Sequence, residues 1–290
     1  MKLQLQLHRK RVTRSTGGDL LILILLTSAG IFMALPMVFA VSNAFKPLNE
    51  FFLFPPQFFV RHPTLDNFHD LFVLMSDSRV PFSRYLFNTV FITLAGTAGH
   101  VAIASMGAYV LAKHKFPGSE TFFKIVIFSL MFAPQITAIP NFITMSFLGW
   151  IDSHKSVIIP AWAASLGLFL MKQFMEQMVP DSILESARID GANEWHIFWR
   201  IVMPIVKPAW LTLVILSFQG LWGATGGNFI YSEVLRTLPF ALSLITAGAP
   251  VARAGVGAAV ALIMMIIPIG VFVFNQSKVV KTMSTSGLKE

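Results

Sequence analysis

Glu185-Ser186-Ala187-Arg188-Ile189-Asp190-Gly191-Ala192, continued to Ile201-Val202-Met203-Pro204, sits in the only long polar segment in the second half of a very apolar chain. Between residues 172 and 207 stand five acids (Glu176, Asp181, Glu185, Asp190, Glu194) against four bases (Lys172, Arg188, Arg200, Lys207). The whole chain of 290 residues holds only 14 acids, so a soluble partner would find its charge here. Long apolar runs flank the segment on both sides, and that setting decides the fold class.

The composition is 55% hydrophobic and 12% charged, against about 25% charged for a typical soluble domain. Such a chain cannot cover a soluble surface, and the class is integral membrane protein. The net charge of +8 is spread over short loops rather than gathered on one face. It therefore reports orientation in a bilayer, and nucleic acid is not an expected partner. With no cysteine, disulfides, thiolate metal sites and cysteine nucleophiles are excluded.

Working outward, the apolar runs predict an all-α, polytopic fold with six transmembrane helices, at about 19–44, 85–111, 122–147, 156–171, 209–230 and 254–275. The third run is interrupted by Pro134 and Pro140. A basic tail (1–18) precedes the first helix, a Pro- and Phe-rich loop (45–84) follows it, and 277–290 form a second tail. Ser42-Asn43-Ala44 has the small-x-small form of a signal-peptide cleavage site. The apolar core before it is longer than a usual signal core, and five more runs follow, so it reads as a span. Fifteen of the 22 lysines and arginines fall in the two tails, the 112–124 turn and the 172–207 loop. The positive-inside rule then places both termini and the acidic loop in the cytoplasm and 45–84 outside, with the aromatics of 45–84 at the membrane interface.

Within the loop, local signals predict helix, turn, helix. Pro180-Asp181-Ser182 opens the first helix, Ser182 and Glu185 fit a capping box, and Gly191 suits the left-handed residue beyond its end. Asn193 caps the second helix, where Trp195, Phe198, Trp199 and Val202 form an apolar stripe suited to the headgroup level. Pro204 and Pro208 then stop it. Ser186, Ala187, Gly191 and Ala192 would let another backbone approach closely, while Glu185 and Asp190 offer charge to a basic partner. The competing local reading is that Glu185 only completes the capping box and the acids keep a loop solvated.

These residues resemble the EAA signature of bacterial ABC-importer permeases: Glu185-Ser186-Ala187, three residues, Gly191, nine residues, then Ile201, Met203 and Pro204. Ser186 stands where the signature has Ala, and Met203 where it has Leu. Asn43-Ala44-Phe45-Lys46-Pro47, Pro63-Thr64-Leu65-Asp66-Asn67-Phe68 and Gly107-Ala108-Tyr109-Val110-Leu111-Ala112 with Phe116-Pro117-Gly118 resemble the carbohydrate branch, specifically the smaller permease of the maltose transporter. The resemblance implies a type I importer permease fold with its transport domain over 85–276. It implies a loop that couples to an ATPase through Glu185, Ser186, Ala187, Asp190, Gly191 and Ala192. It also implies a heterocomplex in the cytoplasmic membrane: a second permease, an ATPase dimer and an extracellular substrate-binding protein, with a carbohydrate, an oligosaccharide, as substrate. The chain contains no G-x-x-x-x-G-K-[ST] phosphate loop, so ATP and Mg belong to the partner ATPase, and no catalytic, cofactor or metal site is expected here.

Polar residues inside apolar runs are candidates for a substrate path. They are Asn88, Thr93 and His100, then Gln135, Thr137 and Asn141, then Gln219, Trp222, Thr225 and Asn228. Trp222 with Asn228 offers an aromatic face and an amide, and interhelical hydrogen bonding is the competing role for each residue. His100 reads as a packing contact. Gly223-Ala224-Thr225-Gly226-Gly227-Asn228 departs from the family, where Trp-Asn-Glu-Phe is common near this point, and predicts early unwinding of the fifth helix. By resemblance Arg236 and Arg253 face the binding protein. Other solutes (phosphate esters, peptides, polyamines) and a secondary transporter are the alternatives. Ionisable residues within spans and internal symmetry, which a secondary carrier would more often show, are not evident.

Overall fold

The computed structural model describes residues 16–76, 80–247 and 254–286. Every regular element among the described residues is helical, as a bilayer demands of a chain whose backbone must satisfy its own hydrogen bonds. The first helix, α1 (Thr16–Ala44), is 29 residues long, about 43 Å. From Leu20 to Phe39 its large apolar side chains are between 41% and 76% exposed. Its main neighbour is the last helix.

The segment after α1 is built around three buried polar side chains. Lys46 donates from Nζ to the Gln57 carbonyl at 2.8 Å. Glu50, in α2 (Leu48–Phe51), accepts from the Arg61 and His62 backbone N–H groups at 3.1 and 2.9 Å, which hold its carboxyl below the usual range against the opposing effect of burial. Asn67, in α3 (Asp66–Ser76), donates from Nδ2 to the carbonyls of Ala44 and Lys46. This loop is therefore a small folded cap, more than aromatics laid on an interface. Its polar side chains lie too far apart in sequence for periodicity to reveal the pairing.

The hub is α4 (Phe82–Lys113), against which α7 (Lys155–Trp162), α8 (Ser165–Met178) and α12 (Lys207–Trp222) pack. Its two ends carry separate apolar clusters. One gathers Tyr109, Met171, Met175, Leu184, Ile197 and Val202, and the other Leu71, Tyr85, Leu238 and Leu242. Between them, among the described residues, Ile92, Ile158 and Leu221 form a small buried cluster. The remaining helices are α5 (Ser119–Ser129), α6 (Pro134–Phe147), α9 (Asp181–Ile189), α10 (Glu194–Ile197), α11 (Met203–Ile205), α13 (Leu238–Ala247) and α14 (Ala254–Ser286).

Four helical stretches among the described residues are long and apolar enough to cross a membrane, and a fifth counts if the bent pair Glu194–Ile205 and Lys207–Trp222 is one span. The run expected over 122–147 is instead two helices, α5 and α6. Pro134, at the start of α6, has no N–H to offer a carbonyl four residues back, so the preceding helix cannot run on through it. Pro140, by contrast, is accommodated inside α6. The run expected over 156–171 extends through Met178, with a break at Ala163–Ala164. The helix expected over 209–230 stops at Trp222. Gly223 follows it, and Gly226 adopts a φ of +61°, as the glycine-rich sequence predicts. The last helix runs on to Ser286, beyond the expected 275.

Candidate functional site

The helix α9 carries Glu185. Its ends are built from local chemistry, but not in every way the sequence suggests. At the C-terminal end Gly191 takes φ +80°. Its N–H donates to the Arg188 carbonyl and that of Ala192 to the Ala187 carbonyl, the paired bonds of a Schellman motif. At the N-terminal end Pro180 occupies the cap position without a side-chain cap bond, and Ser186 Oγ donates to the Ser182 carbonyl. The expected Ser182–Glu185 capping box is absent, because the helix already includes Asp181 and Ser182 lies within it.

Leu184 and Ala187, three residues apart, turn inward and are 1% and 8% exposed against the ends of α4 and α8. Ala187 is therefore not part of the outward face, and Ala192 is half-buried against the same cluster. Glu185, Ser186, Asp190 and Gly191 are exposed. Leu184 was the available signal, since an apolar residue three positions earlier fixes which side of the helix Ala187 joins.

Three of the five acids of this segment are held by the chain itself. Asp181 accepts from Lys113 Nζ at 2.8 Å, and the same ammonium donates to the Val179 carbonyl at 2.6 Å. Hydrogen bonding and charge from Lys113 hold the Asp181 carboxyl below the usual aspartate range. Glu194 accepts from Arg188 Nε at 2.7 Å and from the Tyr109 hydroxyl at 2.6 Å, with His114 Nε2 3.4 Å away. Glu176 pairs with Lys172 at 2.6 Å. Glu185 and Asp190 accept no side-chain hydrogen bond and join no ion pair among the described residues. The pairings of Lys113 and Tyr109 escaped the sequence reading because their partners are 68 and 85 residues away.

Asn193 caps α10 as expected, its Oδ1 accepting from the His196 N–H at 2.8 Å. The next turn, Phe198–Val202, is a π-helix in which the Met203 N–H bonds the Phe198 carbonyl five residues back. Pro204 accounts for this wide turn, because it leaves the Arg200 carbonyl without its α-helical donor. The extra residue splits the expected stripe. Phe198 and Val202 are buried, while Trp195 and Trp199 are 64% and 42% exposed and meet edge to face at 5.9 Å. The chain then bends by 81° into α12.

The proposed path residues fall into two groups. Asn88 is fully buried and donates to the Val234 and Arg236 carbonyls at 2.8 and 2.9 Å. Trp222 is 3% exposed, donates to the Met264 carbonyl and stacks on Phe218. His100 bridges Ser217 Oγ and the Ala164 carbonyl, and Thr93 is fully buried. These four are buried among the helices. Gln135, Asn141, Gln219, Thr225 and Asn228 are exposed on the chain, and Thr137 is half-buried. Asn141 and Asn228 neighbour Phe142 and Phe229, whose rings stack at 6.4 Å and bring α6 to the glycine-rich loop.

That loop is clamped by Asp152, which the sequence reading missed and no local pattern announces. Asp152 accepts from the Tyr231 and Ser232 N–H groups at 2.9 and 2.7 Å and from the Ser232 hydroxyl, bonds that keep its carboxyl below the usual range. Arg236 is half-buried, its guanidinium 3.6 Å from the Phe240 ring centroid. Arg253 lies outside the described residues.

Comparisons with known proteins agree on one family. The chain is 29% identical over 218 residues to the polygalacturonan/rhamnogalacturonan transport system permease protein YtcP of Bacillus subtilis, covering 73% of this chain and 72% of that one. It is 30% identical over 148 residues to the sn-glycerol-3-phosphate transport system permease protein UgpE of Yersinia enterocolitica, covering 51% and 52%. For several curated relatives the match spans only about half to two thirds of their length. The fold is that of a chain in the crystal structure of a bacterial ABC transporter involved in the import of the acidic polysaccharide alginate, with a TM-score of 0.72, 22% identity and coverage of 91% and 98%. The family described as binding-protein-dependent transport system inner membrane component matches residues 27–281, and the chain belongs to it.

Proposed function

We propose that this chain is one permease subunit of an ATP-driven importer for a carbohydrate, coupled to a partner ATPase through α9. The observation that carries the coupling role is the contrast among the loop acids. Asp181, Glu194 and Glu176 hold the segment together, while Glu185 stands exposed, with no side-chain partner among the described residues, on a helix anchored from behind by Leu184. An exposed carboxylate fixed on a short docked helix suits a basic groove on a second protein. ATP and Mg sit on that partner, and this chain contributes half of a pore whose other half is a second permease. In the membrane the chain makes six crossings, with α5 and α6 as one bent crossing and both termini cytoplasmic. An extracellular binding protein delivers the sugar to the end that carries Asp152 and Arg236, and Asn141, Gln219 and Asn228 are the polar groups available to a path at a subunit interface.

The carbohydrate reading is supported by the names of the polygalacturonan/rhamnogalacturonan permease and of the alginate transporter. The similarity to a glycerol-3-phosphate permease keeps a phosphate ester as the second reading. The assay is ATP hydrolysis by the complex with its binding protein. Stimulation by a soluble oligosaccharide supports the first reading, and stimulation by glycerol phosphate alone overturns it. Glu185→Lys is expected to abolish uptake while the chain stays in the membrane, and normal uptake would remove the coupling role.

A further inference from the structure

We propose that the groove between α4 and α12 binds one anionic phospholipid, its acyl chain along the groove and its phosphate on Lys207. The groove encloses about 640 Å³, is almost entirely apolar, and has Trp199 and Lys207 in its lining. On α4 the small side chains of Ala98 and Ala102, one turn apart, leave a trough, and on α12 Val214 and Phe218 form the opposite wall. From Lys207 to Phe218 is eleven residues, about 16 Å along the helix. That is about half of a hydrocarbon core of about 30 Å, the depth of one leaflet.

Charge enters at one end only. Lys207 is exposed and makes no hydrogen bond or ion pair among the described residues, and the same holds for Arg200, the neighbour of Trp199. The one acid between residues 194 and 218, Glu194, is already held by Arg188 and Tyr109. A cation without a counter-ion at the mouth of an apolar trough is complementary to a lipid phosphate, with the lysine stem lying along the acyl chain. Trp199, 42% exposed beside it, has the amphipathic ring that settles at headgroup level. A zwitterionic headgroup would bring its own cation toward Lys207, so an anionic lipid is preferred.

The test uses the full chain, in the complex with which it purifies, in nanodiscs of phosphatidylcholine. Increasing fractions of phosphatidylglycerol are added whose brominated acyl chains quench nearby indoles. Wild type is expected to saturate at a lower fraction of brominated phosphatidylglycerol than of brominated phosphatidylcholine, and Trp199→Phe to lose part of the quenchable emission. Lys207→Gln should raise the phosphatidylglycerol fraction needed roughly fivefold, and Lys207→Arg should keep the wild-type value. Equal response to the two lipids, or a Lys207→Gln response like wild type, overturns the site. Emission insensitive to brominated lipid in wild type also overturns it, since a protein subunit then covers the groove. Should Trp199→Phe fail to assemble, Trp210→Phe, whose indole lines the same groove, replaces it.

Discussion

Two adjacent residues of α9 do opposite work, and that contrast can be measured. Leu184 is 1% exposed within the cluster that joins α4, α8 and the loop, so Leu184→Ala removes apolar contact and leaves a cavity, at a cost of about 3 kcal/mol. Glu185 is exposed and unpaired among the described residues, so Glu185→Gln should leave the thermal unfolding midpoint of the detergent-solubilised chain unchanged while it impairs coupled ATP hydrolysis. A lowered midpoint for Glu185→Gln would mean that the carboxylate has an internal structural role. Asp181 has an internal partner, and Lys113 holds its carboxyl below the ordinary value of 3.8. A depressed carboxyl contributes stability that is fully present above the unfolded value and is lost as pH falls through the folded one. Hydrogen exchange in α9 should therefore be flat with acidification down to about pH 4, after correction for intrinsic rates, and accelerate below it. In Asp181→Asn that component of the acceleration should be missing.

At the scale of elements, the turn chemistry and the breaks follow from residue type, and two glycines separate conformational from steric cost. A Cβ on Gly191 would meet nothing within 4 Å, so Gly191→Ala bears only the penalty of its positive φ, about 1 kcal/mol, read as faster exchange at the end of α9 alone. Gly255 has an ordinary backbone, but a Cβ there would come within 2.0 Å of Asn67 Oδ1. Gly255→Ala must displace the side chain that ties α3 to the end of α1, and exchange should accelerate in both elements together. Gly191, Asn193 and the unwinding after Trp222 were legible because each depends on neighbours within a few residues. The π-turn was only half legible: Pro204 announces an interruption, but whether the helix stops or widens depends on Phe198 and Val202 reaching the core. Asp152, Asn88 and Lys113 act on carbonyls, amides or a carboxylate 66 to 148 residues away, and no local pattern encodes such a partner.

For the whole molecule, the revealing level is the middle of α4, where two well-filled ends are joined through a thin layer. Between Ala95 and His100 the neighbours of α4 both lose regularity, at Ala163–Ala164 and just after Trp222. Side chains tie these levels to α4: His100 bridges the Ala164 carbonyl at the first break and Ser217 on α12, and Trp162 Nε1 donates to the Ala95 carbonyl within α4. Close approach is bought with glycine, since a Cβ on Gly99 would come within 2.1 Å of the Trp162 ring and one on Gly167 within 2.2 Å of His100 Nε2. Gly167→Ala should therefore expel the His100 ring, break both of its bonds and cost about 2 kcal/mol. Gly107→Ala, on α4, meets only Leu168 Cδ1 at 3.0 Å, a rotatable methyl, and should cost less than about 1 kcal/mol. If the imidazole is the whole obstacle, Gly167→Ala placed on His100→Ala should add almost nothing. The coupling in that double-mutant cycle then nearly equals the single cost of Gly167→Ala. Additive losses in denaturant unfolding would instead show that the two helices are held apart by backbone contact, and that His100 is a bystander to the tie between α4, α8 and α12.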